Sequence, residues 1–217
     1  MKRPYKILIV SLILLALYPL GCSRFVTPTP DPNNNQEQPQ DNKEPSPTAN
    51  LSEYFPLTKG STWKYQGEGN EYASFDREVL FIQENKGQIR ENNGGTVSAA
   101  VFQVTDNKVT RIFFQGEAYG ETNFLDEESN ENVVVLQKPL EVGTSWDEPN
   151  GTREIVSIDA TVDTPAGEFN NCIKIQISAE DSTLFEYYKN GVGMVKREFI
   201  SGETQVTSTL EEYEIKP

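Results

Sequence analysis

Three short stretches of this 217-residue chain have residue types that could perform acyl transfer. Ser61-Thr62-Trp63-Lys64 fits S-x-x-K, Thr105-Asp106-Asn107 approximates S-D-N, and Lys189-Asn190-Gly191 approximates K-T-G, in that chain order. That chemistry needs the Ser at the start of a helix, with the Lys one turn later beside its hydroxyl. Here Ser61 opens a strand-like run, and positions i and i+3 of a strand point to opposite faces. The other two stretches read as hairpin turns. The expectation is that the chain is not an enzyme.

Metal chemistry is sparsely provided. The chain has no His and two Cys, which argues against the usual zinc and copper sites. Oxygen ligands at alternate positions of Asp126-Glu127-Glu128-Ser129-Asn130-Glu131-Asn132 suit calcium. That stretch lacks the central Gly and late bidentate Glu of an EF-hand, and reads as a solvated acidic loop. With 33 acidic residues, carboxylate pairs of the glycosidase kind are inevitable and carry no signal. Asn92-Asn93-Gly94-Gly95 has no helix after it and reads as a turn, not a phosphate loop. No cofactor is expected.

The first 21 residues read as a targeting segment. Lys2, Arg3 and Lys6 precede an apolar run over 7–20, shorter than the roughly 20 residues a transmembrane helix needs. Gly21-Cys22 follows, and resembles the lipobox of bacterial lipoproteins, with Pro19 where that family usually carries an aliphatic residue. The resemblance implies cleavage before Cys22 and a lipid on it. Losing three of 19 basic residues and no acidic one leaves 16 against 33, a net charge of −17. Such a surface repels phosphate backbones, so nucleic acid is not an expected partner. Cys172 is then a lone thiol outside the cytoplasm, without a disulfide partner and without a His to activate it.

Residues 23–50 contain six Pro among Asn, Gln, Asp, Glu, Ser and Thr, and cannot bury enough apolar surface to fold. This is a linker, about 30 Å long as a coil and about 85 Å as polyproline II. The domain organisation is thus a signal over 1–21, an anchor and linker over 22–50, and a folded domain over 51–217.

The folded part reads as all-β and antiparallel, a sandwich or barrel-like domain of roughly 11–13 strands. Val156, Ile158, Ala160 and Val162 alternate with polar residues, as do Ile173, Ile175 and Ile177. Turns are expected at Asp106-Asn107, Thr164-Pro165-Ala166-Gly167, Asn190-Gly191 and Ser201-Gly202, and a short helical turn near Ser52-Glu53-Tyr54. The runs REVLFIQ (77–83) and RIFFQ (111–115) are apolar on both faces, so they should line a cavity or lie under a second sheet.

One phrase occurs twice: PLTKGSTW at 56–63 and PLEVGTSW at 139–146. Further correspondences follow: 77–82 with 153–158, 95–101 with 167–173, and Phe113-Phe114 with Tyr187-Tyr188. They suggest two duplicated halves, approximately 54–125 and 132–217. Gly60 and Gly143 supply a turn conformation closed to most residues, and Trp63 and Trp146 plug the core. Gly167 and Gly191 complete the expected structural turns.

Tyr54-Phe55-Pro56-Leu57 with Gly60 and Trp63, Thr164-Pro165-Ala166-Gly167 with Phe169 and Cys172, and Gly191-Val192-Gly193 with Val195-Lys196 together resemble a group of uncharacterised bacterial lipoproteins, mostly of Gram-positive-type lineages. The resemblance spans most of 54–217 and implies an exported β-domain, without catalytic residues to carry over. The expected role is a non-enzymatic interaction or structural module of the cell envelope, held by the Cys22 lipid at the outer face of the cytoplasmic membrane. Two alternatives are a carrier or sensor of an apolar ligand such as a lipid or acyl chain, and a carbohydrate-binding or carbohydrate-active domain. The carrier requires a dry pocket of at least ~300 Å³. The sequence names neither an envelope protein partner nor an apolar ligand.

Overall fold

The computed structural model describes residues 49–149 and 151–217. The signal segment, Cys22 and the linker up to residue 48 lie outside the described residues. One helical turn, α1 (Leu51–Tyr54), precedes twelve strands. These are β1 (Thr62–Glu68), β2 (Phe75–Gln83), β3 (Lys86–Asn92), β4 (Val97–Val104), β5 (Lys108–Gln115) and β6 (Val133–Gln137), then β7 (Ser145–Glu148), β8 (Gly151–Thr164), β9 (Gly167–Ser178), β10 (Thr183–Lys189), β11 (Gly193–Ser201) and β12 (Thr204–Glu214). The sheet order is β6-β5-β4-β3-β2-β1-β12-β11-β10-β9-β8-β7, and every pairing is antiparallel.

Each strand pairs with its sequence neighbours, except that β1 pairs with β12 and no ladder joins β6 to β7. The sheet therefore curls into a nearly closed barrel with one seam. Side chains stitch that seam. Trp146 Nε1–H donates to Val134 O at 2.7 Å, and an Arg153 terminal N–H donates to Val135 O at 3.4 Å. Trp63 holds a matching place in the first half, donating to Val192 O at 2.7 Å. Both indoles are buried, as a polar-tipped aromatic with a satisfied N–H can be.

One barrel end is plugged by the chain itself. Leu51, Tyr54 and Phe55 are buried there, and the Phe55 ring lies 4.8 Å from that of Phe102. Asn50 caps α1 through a bond from Ser52 N–H, and Gly191 N–H donates to Glu53 O. The long β8–β9 hairpin reaches β12, where Ala166 N–H donates to Leu210 O. It carries Val162, Phe169 and Cys172 into the core cluster with Leu210. β12 ends at this same barrel end, with Glu214 opposite Thr62. The described chain thus enters and leaves at the plugged end.

The strand count and the turns at Asp106-Asn107, Pro165-Ala166, Asn190-Gly191 and Gly202 follow the sequence expectation. Two expectations change. The alternation in β8 does not run unbroken, because its register against β9 shifts between Ile155 and Ser157. A bulged residue reverses the faces, so Arg153 and Ile155 are buried upstream and Val162 downstream. Next, the outer faces of 77–83 and 111–115 meet neither a cavity nor a second sheet. The β5–β6 connection over 116–132 covers them, packing Phe124 and Leu125 on Phe81, Val101 and Phe113. Gln88, buried on that wall, fastens it by donating to Thr122 O and accepting from Phe124 N–H.

The repeated phrases make the same bonds. Gly60 N–H donates to Val79 O and Val79 N–H to Ser61 O; Gly143 N–H donates to Ile155 O and Ile155 N–H to Thr144 O. Trp63 lies opposite Arg77, and Trp146 opposite Arg153. These correspondences fall on β1 and β2 against β7 and β8. The other two set β4 against β9 and β5 against β10, one strand out of step when strands are counted from β1 and β7. β6, which the division at 132 gives to the second half, is hydrogen-bonded to β5.

Gly60 and Gly143 have φ of +82° and +90°, and nothing lies within 4 Å of a Cβ built at Gly143. The requirement there is conformational. Gly143→Val should destabilise the domain by about 1–2 kcal/mol through strain alone, measured by urea unfolding. A midpoint equal to wild type would refute it.

Candidate functional site

The opposite barrel end is floored by charge. Inward positions of seven strands carry Arg77, Arg111, Arg153 and Arg197 with Glu91, Glu148 and Glu186, and Glu131 joins from the β5–β6 connection. Arg77 Nε bonds Glu91 at 2.7 Å. Arg153 donates to Glu148 through Nε and to Glu186 at 2.8 Å through a terminal nitrogen. Tyr188 O–H also donates to Glu186, at 2.9 Å. Arg111 grips Glu131 with two bonds, at 2.5 and 3.4 Å. Charged side chains can lie here because each carboxylate is hydrogen-bonded to a guanidinium.

Arg197 is the exception. Its contacts to Glu91 and Glu186 are both 4.0 Å, too long for hydrogen bonds. Its Nε is buried without a partner. The guanidinium lies 4.9 Å from the Phe75 ring centre, with Arg77 at 5.1 Å from the same ring.

Burial pushes the Glu91 and Glu186 carboxyls up, but neighbouring charge outweighs it. Arg77, Arg197 and Arg111 hold Glu91 below the usual carboxylate value, and Arg153, Arg197 and the Tyr188 hydrogen bond do so for Glu186. Burial pushes the Tyr65 phenol up to about 12, and the Cys172 thiol likewise to about 12. A depressed acid stabilises the fold above its unfolded value, and that contribution disappears as pH falls through the folded value. A raised acid stabilises below its unfolded value, and the contribution is lost as pH rises toward the folded one. The thermal midpoint should therefore fall below pH 4.5 and again above pH 9, with Glu186→Gln flattening the acid limb. An unchanged acid slope in that variant would count against the belt.

A void lined by Phe55, Trp63, Tyr65, Arg77, Ile89 and Met194, with Pro56 and Gly193, holds about 20 Å³. Larger hollows of about 500 and 690 Å³ are open and partly polar, one on the outer wall around Lys64 and Arg90, the other beside the plug at Leu57 and Ile82.

The sequence-singled residues sit elsewhere. Gly60, Trp63, Gly143 and Trp146 lie at the starts of β1 and β7, and Gly167 (φ +126°) and Gly191 (φ +75°) at hairpin turns. They belong to the scaffold and do not converge. The Ser61 hydroxyl accepts from Lys216 N–H, while Lys64 reaches Glu211 across the outer wall. In the acidic loop, Glu131 is held by Arg111, and Asn130 brackets Phe114 N–H and C=O. Among the described residues no group of three or more His, Cys, Asp or Glu side chains gathers as a metal site. The belt was not recognised in the sequence. Its signal was present in Arg77 and Arg153, charged residues two places before the inward Val79 and Ile155 in both copies of the repeat.

No protein-family model matches the chain, and no curated protein matches it. Two solved structures are similar. One is a protein inferred to be exported, with a YmcC-like fold, from Bacteroides fragilis NCTC 9343. It is 15% identical with a TM-score of 0.44, and the match covers 74% of this chain and 98% of that one. The other is a protein inferred to be a lipoprotein from Parabacteroides distasonis ATCC 8503, 16% identical with a TM-score of 0.39 and the same coverage.

Proposed function

We propose that the chain is an exported, lipid-anchored β-domain acting as a non-enzymatic binding module of the cell envelope. The observation that carries this reading is where the chain enters. Residues 49–55 and the end of β12 share the plugged end. A tether from Cys22 therefore joins the domain at the end opposite the charged one. The signal-like segment and the lipobox-like Gly21-Cys22 support export and acylation, with the domain held at the outer face of the cytoplasmic membrane. The same reading takes the halves as a duplication, supported by the matching bonds of the two phrases.

The interior weighs against an apolar-ligand carrier: about 20 Å³ is far below the ~300 Å³ a ligand pocket needs. A carbohydrate-binding role is favoured by one observation. Phe114, 39% exposed, stands beside Arg111 and Glu131 at the charged end.

Cys22→Ala should abolish acylation. Metabolic labelling with a fatty acid should mark the wild type and leave the variant unlabelled and released from the membrane fraction. A variant that still takes label would refute the anchor.

A further inference from the structure

The belt carries four Arg and four Glu, so its formal charge is zero. An added anion would face four carboxylates, and an added cation four guanidiniums. A neutral ligand with many hydrogen-bonding groups meets neither penalty. The belt also has unspent capacity. The Arg197 Nε–H has no hydrogen-bond partner, and the guanidinium stands 4.0 Å from both Glu91 and Glu186. Its side chain is 28% exposed and that of Glu91 30%, so both reach solvent at the open end.

An aromatic surface stands beside these groups. Phe114 lies opposite Ala100, and Arg111 opposite Phe102, both on the inward face of β4; the register shift between Val101 and Phe102 puts them on one side. The Phe114 ring lies 5.2 Å from the Arg111 guanidinium and is 39% exposed. Arg111 also lies near enough to Glu91 to act on its charge.

We propose that this open end binds a neutral saccharide, with Arg197 donating to ring or hydroxyl oxygens, Glu91 and Glu131 accepting from hydroxyls, and Phe114 stacking on a sugar face. The proposal rests on the binding-module reading and names its ligand class. Stacking and hydrogen bonding to an uncharged sugar make affinity insensitive to salt, unlike contacts to a charged polymer.

The test uses the full chain in detergent on an array of neutral, uronic, sialylated and sulfated glycans, followed by calorimetric titration of the neutral glycan bound. Affinity should fall at least tenfold in Arg197→Met and in Phe114→Ala, and be unchanged between low and high salt. Arg197→Lys, which keeps the charge and the fold but loses the planar fork, should also weaken binding. An array without neutral binders, binding confined to charged glycans, or affinity that survives both variants would overturn the proposal. The acyl mass on Cys22, read in the same preparation, separates the two readings. An acylated chain that ignores glycans defeats this proposal alone, and a glycan-binding chain without acyl defeats the anchor alone.

Discussion

Replacing Arg153 by Met should destabilise the domain by about 3–5 kcal/mol, the cost of removing one partner from a buried ion pair. Arg153 bonds Glu148, Glu186 and Val135 O together. Its side chain is 8% exposed, with Glu148 at 13% and Glu186 at 10%, so water cannot replace it readily. Methionine fills the volume but strips Glu148 of its guanidinium and leaves Glu186 only the Tyr188 hydroxyl and the more distant Arg197. It also opens one of the two stitches across the β6–β7 seam. Urea unfolding followed by tryptophan fluorescence measures the loss. The triple variant Arg153→Met, Glu148→Gln, Glu186→Leu should recover part of it, because no uncompensated charge then stays buried. A single variant within 1 kcal/mol of wild type would mean that the belt holds nothing.

Trp146→Ala should cost a similar ~3–5 kcal/mol, the range for removing a large aromatic from a core. The indole is 9% exposed, belongs to the main core cluster, and fastens β7 to β6 through Nε1. Trp146→Phe separates the two contributions. It keeps most of the ring and leaves Val134 O unpartnered, so it should cost about 1–3 kcal/mol. Because no ladder crosses this seam, amides of β6 and β7 should exchange hydrogen faster in the Phe variant while those of β1 and β12 do not change. Equal acceleration in all four strands would show that the seam does not open separately.

The β architecture could be read from the sequence because its signals are local. Period-two alternation in 173–177 and the Asn190-Gly191 turn depend on neighbours a few residues away. The seam, the plug and the cover over the outer wall could not, since each is a contact between distant segments. Phe81 and Phe113 announced that both faces of their strands were buried, but only the fold shows that 116–132 does the covering. Bulges explain the rest. An extra residue after Ile155 and another before Phe113 exchange inward and outward positions. A strict alternation therefore misplaces Arg153 and Phe114, two members of the candidate site. Arg197 was hidden for another reason: in VKREF it looks like an ordinary solvated charge, and only its distances to Glu91 and Glu186 mark it out.

The central claim is an acylated domain whose interior is already full and whose binding face is its open end. Native mass spectrometry of the full-length product, extracted gently from envelopes, tests it most directly. The expected mass is that of the chain from Cys22 onward plus acyl groups, with no apolar molecule retained. A reproducible extra mass that survives extraction and fragments as a lipid, or a chain that still carries residues 1–21, would contradict it.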